Sequence, residues 1–130
     1  MAIQGWNYNY RSIQSISNSM EMDDLTDTIQ VLRKFIEERD WSKFHNSKDL
    51  AIAINVESGE LLELFLWKSP EEVPEAKIKE ELADILAFAL LLADKHNFSI
   101  SDILLEKMKT NALKYPIDKS RGSSKKYNEL

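Results

Sequence analysis

The sequence predicts an all-α protein built as a bundle of four helices. Apolar residues recur at three- and four-residue intervals in four segments, and no segment shows the strict alternation that is typical of a strand. Capping residues such as aspartate or serine precede these segments, and proline or a short polar turn follows most of them. A chain of 130 residues can bury a core as one domain. We therefore expect helices at about residues 23–39, 48–67, 75–96 and 100–115.

The first two predicted helices have recognisable starts and stops. The apolar face of the first helix follows the four-three-four spacing of a helical stripe: Leu25, Ile29, Leu32 and Ile36. Asp23 or Asp24 can cap its N-terminus. The second helix is expected to begin after Ser47 as its cap. It should end before Pro70, because proline disfavours helical geometry in the residue that precedes it.

The third predicted helix is apolar nearly all round. One face carries Ile78, Ile85, Phe88 and Leu92, and the far side carries Leu82, Leu86, Ala89, Leu90 and Ala93. In so small a domain, we expect such a helix to be sandwiched between its own bundle and a second subunit. The fourth helix should begin at a capping box formed by Ser99 and Asp102 and end at Tyr115-Pro116.

The two ends of the chain differ from the helical domain, which we assign to residues 20–116. Residues 1–19 are polar with scattered aromatics and no helical period. We interpret them as an appendage, either a leader outside the fold or an arm that packs on a neighbouring subunit. Residues 117–130 are rich in serine, lysine and glycine, a composition typical of a flexible tail.

Composition and charge exclude several classes of function. The absence of cysteine rules out disulfides, zinc–thiolate sites and thiol nucleophiles. A net charge of −5 leaves no basic surface for duplex nucleic acid. The longest apolar segment, residues 85–93, is too short to cross a bilayer, and the N-terminus lacks a secretory signal pattern. We expect a soluble cytoplasmic protein with no membrane or duplex partner.

Two pairs of acidic residues stand inside apolar helical segments. Glu57 and Glu60 occupy the core-facing stripe of the second helix, and Glu81 and Asp84 repeat the three-residue spacing in the third. Burying adjacent anions is costly unless a cation meets them. Four carboxylates from neighbouring helices would supply the oxygen ligands that magnesium or manganese prefers. The alternative is that these acids flank a wet groove or pair with lysines.

Two other chemistries fit the sequence poorly. A di-iron carboxylate bundle needs a histidine three residues after a glutamate on each of two helices, and neither His45 nor His96 has one there. A nucleophilic serine with a His–Asp relay lacks a recognisable motif. The loop before the second helix carries Trp41, Phe44 and His45, which form either a plug of the core or a platform for a flat ring.

The chain resembles the all-α nucleoside triphosphate pyrophosphohydrolases, the MazG-like superfamily, and within it the short dCTP pyrophosphatase branch. The resemblance covers about residues 24–128 and includes the Glu-x-x-Glu and Glu-x-x-Asp pairs. It is carried further by three strings: ERDWSKFH at 38–45, GELLELFLWK at 59–68, and KMKTN at 107–111 continuing through Tyr115-Pro116 to SRGS at 120–123.

The resemblance implies hydrolysis of a deoxynucleoside triphosphate to its monophosphate and pyrophosphate. Magnesium would be held by Glu57, Glu60, Glu81 and Asp84, with manganese as an alternative. A carboxylate would take the proton from the attacking water. Glu57 is the first candidate, and Glu63, which would not itself touch the metal, is the other. The family forms dimers or dimers of dimers with sites built between subunits.

The resemblance also assigns a substrate pocket. Trp41, Phe44, His45 and Trp67 match base and sugar positions, which favours the platform over the plug. The C-terminal pattern implies that residues 117–130 close over the phosphates. The matching positions there and in the fourth helix are Lys107, Asn111, Tyr115, Arg121, Lys125 and Tyr127.

Two positions depart from the family pattern. Phe88 stands where close relatives carry a tyrosine in the pocket, and Leu32 stands where they carry a histidine. Because apolar pockets discriminate bases weakly, we expect dCTP as substrate and acceptance of other dNTPs such as dATP. The rival interpretation is a non-catalytic helical module that binds a nucleotide or a partner protein around a structural cation.

Overall fold

The structure, a computed structural model, describes residues 25–130. This part of the chain is all-α and contains no strand, which confirms the predicted fold class. The helices are α1 (Leu25–Glu37), α2 (Ser47–Glu63), α3 (Glu75–Lys95), α4 (Ile100–Lys114) and the single-turn α5 (Ile117–Ser120). Short 3₁₀ turns cover Ser42–Phe44, Pro70–Glu72 and Tyr127–Glu129. The chain falls into two compact units, Met1–Leu92 and Ala93–Leu130.

Helix α1 ends two residues earlier than predicted, in a Schellman motif. Asp40 adopts a left-handed conformation with φ of 53°. The Trp41 N–H donates to the Ile36 carbonyl at 3.0 Å, and the Asp40 N–H donates to the Glu37 carbonyl at 3.0 Å. This reversal starts the loop that carries the aromatic residues. The predicted caps Asp23 and Asp24, like the appendage at 1–19, lie outside the described residues.

Helix α2 is capped by Asn46, so the prediction of Ser47 as its cap is wrong. The Asn46 backbone is extended, and its side-chain Oδ1 accepts a hydrogen bond from the Asp49 N–H at 2.9 Å. An asparagine side chain caps a helix as well as a serine side chain does, and here the capping residue lies one position before Ser47. Ser47 becomes the first residue of the helix instead.

Replacing Asn46 by alanine is expected to destabilise the protein by about 1 kcal/mol, because the first turn of α2 loses its cap. Denaturant unfolding measures this cost. Asn55→Ala is the matched control, since Asn55 is exposed in the middle of the same helix, where alanine is the better helix former. Equal stability of the two variants would contradict the assigned cap.

Helix α2 also ends earlier than predicted, at Glu63 rather than near Trp67. After Glu63 the backbone tightens into three-residue turns, in which the Phe65 N–H donates to the Leu62 carbonyl and the Leu66 N–H to the Glu63 carbonyl. Trp67 then takes a left-handed φ of 60°, which no continuing helix allows. The apolar pattern runs on past this point, so periodicity alone overestimated the helix length.

The core of the first unit contains four buried side chains, one each from α1, α2, the connection after α2, and α3. Ile36 comes from α1, Leu50 from α2, Val73 from the connection and Phe88 from α3. Leu50 is only 1% exposed. By contrast, Leu82 and Leu86 on α3 are 45% and 51% exposed, so this helix has an apolar face that its own unit leaves uncovered.

The second unit contains the end of α3, helix α4 and the C-terminal segment. A second Schellman motif ends α3, with Asn97 at φ 54° and the Phe98 N–H donating to the Ala93 carbonyl at 2.9 Å. The Ser99 hydroxyl accepts a hydrogen bond from the Asp102 N–H and so caps α4, which is one half of the predicted capping box. No helix in the described residues is long and apolar enough to cross a membrane.

The C-terminal segment has more regular structure than its composition predicts. After α5, the chain returns so that the rings of Tyr115 and Tyr127 meet edge to face with centroids 6.2 Å apart. The Lys114 ammonium lies 5.2 Å from the centre of the Tyr127 ring. Aromatic and cation–π contacts therefore anchor the segment on the end of α4.

Candidate active site

Three carboxylates from two helices converge in the first unit. Glu57 comes from α2, and Glu81 and Asp84 come from successive turns of α3. One oxygen from each lies within 4.8 Å of the others, and all three side chains are partly buried. The three-residue spacing places Glu81 and Asp84 on one face of α3, opposite Glu57. This group is called the carboxylate triangle below.

The other two predicted acids lie outside the triangle. Glu60 is exposed one turn after Glu57, and its charge acts on all three members of the triangle. Glu63 is exposed at the last residue of α2. Their predicted roles, as a fourth ligand and as an assisting base, stay predictions.

The electrostatics of the triangle are unfavourable without a cation. Burial raises the pKa of Glu57, and repulsion from Glu60, Asp84 and Glu81 raises it further. The pKa values of Glu81 and Asp84 are also raised, mainly by burial and then by neighbouring acids. Each carboxyl therefore resists ionising beside the others.

The residues present fit a divalent cation. Carboxylate oxygens are hard ligands, and a cation would offset both the burial cost and the mutual repulsion. Within residues 25–130, the ion pairs of lysine and arginine lie elsewhere; Lys77, for example, binds Glu80 at 2.9 Å, beside the triangle. Pairing with lysines, the alternative raised by the sequence, does not neutralise these acids in the described chain.

We expect the thermal stabilisation given by Mg²⁺ to grow as the pH rises above 4.5, the ordinary value for glutamate. The pKa values of the triangle are raised by folding, so its folded carboxyls hold protons that the unfolded chain has released. Their stabilising contribution is present at acid pH and is lost as the pH rises through the raised folded pKa values. A cation binds the deprotonated carboxylates and reverses that loss.

Melting temperatures are measured from pH 4 to 8, once with Mg²⁺ and once with EDTA and NaCl at equal ionic strength. The difference between the two melting temperatures at each pH is the stabilisation given by Mg²⁺. Subtraction removes the opposite contribution of Glu72, whose pKa is lowered because its carboxylate accepts a hydrogen bond from the Ser69 backbone N–H. A difference that is constant across this pH range would contradict a cation site made of these carboxyls.

An apolar cavity of about 510 Å³ opens beside the triangle. Its lining comes from the loop before α2, from α2 itself and from α3: Trp41, Phe44, His45, Asp49, Leu50, Ile52, Ala53, Val56, Glu57 and Phe88. Glu57 belongs both to this lining and to the triangle. The structure thus joins a site suited to a cation with a pocket suited to a flat ring.

The aromatic residues of the loop form the cavity wall. The His45 and Phe88 rings meet edge to face at 6.3 Å, and the Trp41 ring meets Phe35 at 5.9 Å. Phe44 is 59% exposed, which excludes a role as a plug of the core in this chain. These ring contacts hold Trp41 and His45 beside an open space whose volume is within the usual range of small-molecule pockets.

The remaining predicted substrate residues are Trp67 and six residues of the second unit. Trp67 is 93% exposed and does not line the cavity. Six further positions belong to the second unit: Lys107, Asn111, Tyr115, Arg121, Lys125 and Tyr127. Only Tyr115 and Tyr127 of these are in ring contact with each other. Their roles toward a substrate stay predictions.

Sequence reasoning missed the part of the cavity that α2 supplies. Asp49, Ala53, Val56 and Glu57 follow the spacing of one helical face, and Leu50 and Ile52 flank it. The signal was present, because this face leads back from Glu57 to the start of the helix.

Residues 52–130 match the MazG-like family, and the chain belongs to that family. It is also similar to dCTP pyrophosphatase 1 of several mammals, which confirms the predicted branch. Identity is 39% over 114 residues with the mouse protein and 40% over 115 residues with the bovine protein. These matches span 82% of this chain and 67% and 68% of the respective relatives.

A solved structure supports the same fold. The crystal structure of a pyrophosphatase from Archaeoglobus fulgidus superposes with a TM-score of 0.67 at 34% sequence identity. The match covers 71% of this chain and 92% of the archaeal one. The all-α fold is therefore shared with a protein described as a pyrophosphatase.

Proposed function

We propose that this protein hydrolyses deoxynucleoside triphosphates to the monophosphate and pyrophosphate, and so removes surplus or unwanted nucleotides from the pool. The observation that carries the proposal is the position of Glu57, which belongs both to the carboxylate triangle and to the wall of the apolar cavity. These two regions match the two parts of a nucleotide: a cation on the triangle would meet the anionic phosphate chain, and the cavity would take the flat base. Relatives named dCTP pyrophosphatase 1 support dCTP as the first substrate.

Glu57, Glu81 and Asp84 would hold the cation, which we propose to be Mg²⁺, with Mn²⁺ as the alternative. Bound there, the ion would neutralise phosphate oxygens and lower the pKa of a water molecule. Glu57 is the better candidate for the base because it lines the cavity, whereas Glu63 is exposed at the helix end. Glu57 accepts a proton from the attacking water as the new oxygen bond to the α-phosphorus forms and pyrophosphate leaves.

The cavity wall would bind the base and exclude water from it. Trp41, Phe44, His45 and Phe88 provide ring faces and edges for a base. Phe88 is 6% exposed and has no hydroxyl to offer. Acceptance of other bases such as adenine is therefore part of the proposal, since apolar walls discriminate weakly.

Positive charge for the phosphates would come from the second unit. Lys107, Arg121 and Lys125 are exposed, and none of them forms an ion pair with another described residue. We propose that they bind the triphosphate when residues 117–130 close over it. Asn111, Tyr115 and Tyr127 would complete that contact.

The active form would be a homodimer or a dimer of dimers. The exposed apolar side chains on α2 and α3 support this assembly: Leu62, Leu82 and Leu86 are 71%, 45% and 51% exposed. Trp67 is 93% exposed in the protomer, so it would complete a pocket in a second copy rather than its own. The acidic, cysteine-free sequence favours the cytoplasm as the compartment.

The direct test is pyrophosphate release from each of the four dNTPs, measured with Mg²⁺, with Mn²⁺ and with EDTA. We expect metal-dependent turnover with dCTP among the preferred substrates. Absence of turnover from all four in either metal would overturn the enzymatic function. It would leave the rival, a nucleotide- or partner-binding module with a structural cation.

A further inference from the structure

The cavity offers few polar groups to a base. Only four of its lining residues carry polar side-chain atoms, namely Trp41, His45, Asp49 and Glu57. Glu57 belongs to the carboxylate triangle, which leaves three for the base. The Trp41 indole N–H can only donate a hydrogen bond, the His45 imidazole can donate or accept, and the Asp49 carboxylate can only accept. Asp49 is therefore the one of these three groups that specifically requires a donor on the ligand.

Asp49 and Glu57 both line the cavity from α2. Asp49 stands eight residues before Glu57 on the same helix, or about 12 Å along the axis. A nucleotide whose α-phosphate lies beside Glu57 would extend along this face of α2. Leu50, Ala53 and Val56 line the way between, and the exposed Asp49 lies at the far end.

The Asp49 carboxylate is held in place on one side only. Its Oδ2 accepts a hydrogen bond from the Asn46 side-chain amide at 2.6 Å, and its own N–H donates to the Asn46 Oδ1 at 2.9 Å. In the described chain, no hydrogen bond or ion pair involves Oδ1 of Asp49. A fixed carboxylate with one available oxygen is suited to accept from an N–H donor.

We propose that Asp49 selects bases carrying an amino group at position 4 of a pyrimidine or position 6 of a purine, which extends the proposed function and rests on it. Cytosine and adenine present an amino donor at the edge opposite the sugar, whereas uracil, thymine and hypoxanthine present a carbonyl there. The carboxylate accepts a hydrogen bond from the amine. A carbonyl at that place leaves two acceptors facing each other, an arrangement that costs binding.

Matched substrates isolate this contact. dCTP and dUTP carry an amino and an oxo group at position 4, with N3 unprotonated in dCTP and an N–H in dUTP, and dATP and dITP differ in the same way at position 6 and N1. Dissociation constants are measured by calorimetry with the α,β-imido analogues of all four in Mg²⁺, and kcat/KM is measured with the natural triphosphates. We expect the wild type to favour the amino member of each pair, and Asp49→Asn to reduce that preference by about tenfold or more. Asp49→Ala should reduce it similarly.

Asp102→Asn is the matched control. Asp102 also stands three residues after a capping side chain, at the start of α4, but it does not line the cavity. Its variant should retain the wild-type preference. An unchanged preference in Asp49→Asn would overturn the inference. An equal loss of affinity for both members of each pair would also overturn it.

Binding and turnover separate this inference from the proposed function. If Asp49→Asn loses the preference in the binding data, the role of Asp49 is supported even when no triphosphate is hydrolysed. In that case only the enzymatic proposal fails. A wild type that binds both members of each pair equally overturns the role of Asp49 whatever its activity. Melting temperatures of the variants show whether each one is folded.

Discussion

Glu81→Gln is expected to lower the rate of pyrophosphate release from dCTP by about a hundredfold or more, since even groups that only orient a metal ligand are worth 10–100-fold. Glu81 supplies one of the three carboxylates whose oxygens lie within 4.8 Å of one another. Glutamine keeps the size of the side chain but removes its charge, so the site loses affinity for a cation. Steady-state rates over a range of Mg²⁺ concentrations measure this effect, and the Mg²⁺ requirement should rise together with the loss of rate.

Glu80→Gln is the control for this prediction. Glu80 precedes Glu81 on α3 and contributes to the same acidic field, but its carboxylate pairs with Lys77 and is exposed. Its neutralisation should leave the rate within a few-fold of wild type. An equal loss in both variants would mean that general negative charge, rather than the carboxylate triangle, supports activity.

Leu50→Ala is expected to lower the free energy of unfolding by about 2–5 kcal/mol, because it removes a fully buried side chain and leaves a void. Leu50 is 1% exposed and lies at once in the core of the first unit and in the cavity wall. Since small domains are stable by only about 5–15 kcal/mol, this loss is a large part of the total. Denaturant unfolding at several protein concentrations measures it.

Leu62→Ala is the matched control on the same helix, where the side chain is 71% exposed. Within the protomer, its loss should cost little. Any cost should depend on protein concentration, because Leu62 would be covered only by a second copy. The cost of Leu50→Ala should not depend on concentration. A small effect of Leu50→Ala would contradict the core described for the first unit.

The existence and order of the helices followed from the sequence, but their ends did not. Apolar spacing identified α1 to α4, although the apolar side chains of α4, such as Leu104 and Met108, are exposed in this structure. It overestimated α2, since residues 64–67 continue the apolar pattern while the backbone turns and Trp67 adopts a left-handed conformation. Local hydrogen bonds decide such an end, and a hydropathy pattern does not report them.

The acids of the site could be predicted because a charge on an apolar helical face is unusual. The sequence predicted one cluster of Glu57, Glu60, Glu81 and Asp84 from two helices, and the structure brings together Glu57, Glu81 and Asp84. Asp49 was missed because an acid in the first turn of a helix is ordinary in sequence. Its place in the cavity follows from the packing of loop and helices, which periodicity along one helix does not report.

The central claim is that a water molecule attacks the α-phosphorus of a nucleotide held between the carboxylate triangle and the apolar cavity. The most direct test is hydrolysis of dCTP in ¹⁸O-labelled water with Mg²⁺, followed by mass spectrometry of both products. We expect dCMP carrying one ¹⁸O atom and unlabelled pyrophosphate in equal amounts. Label in the pyrophosphate, or release of dCDP and inorganic phosphate, would contradict it.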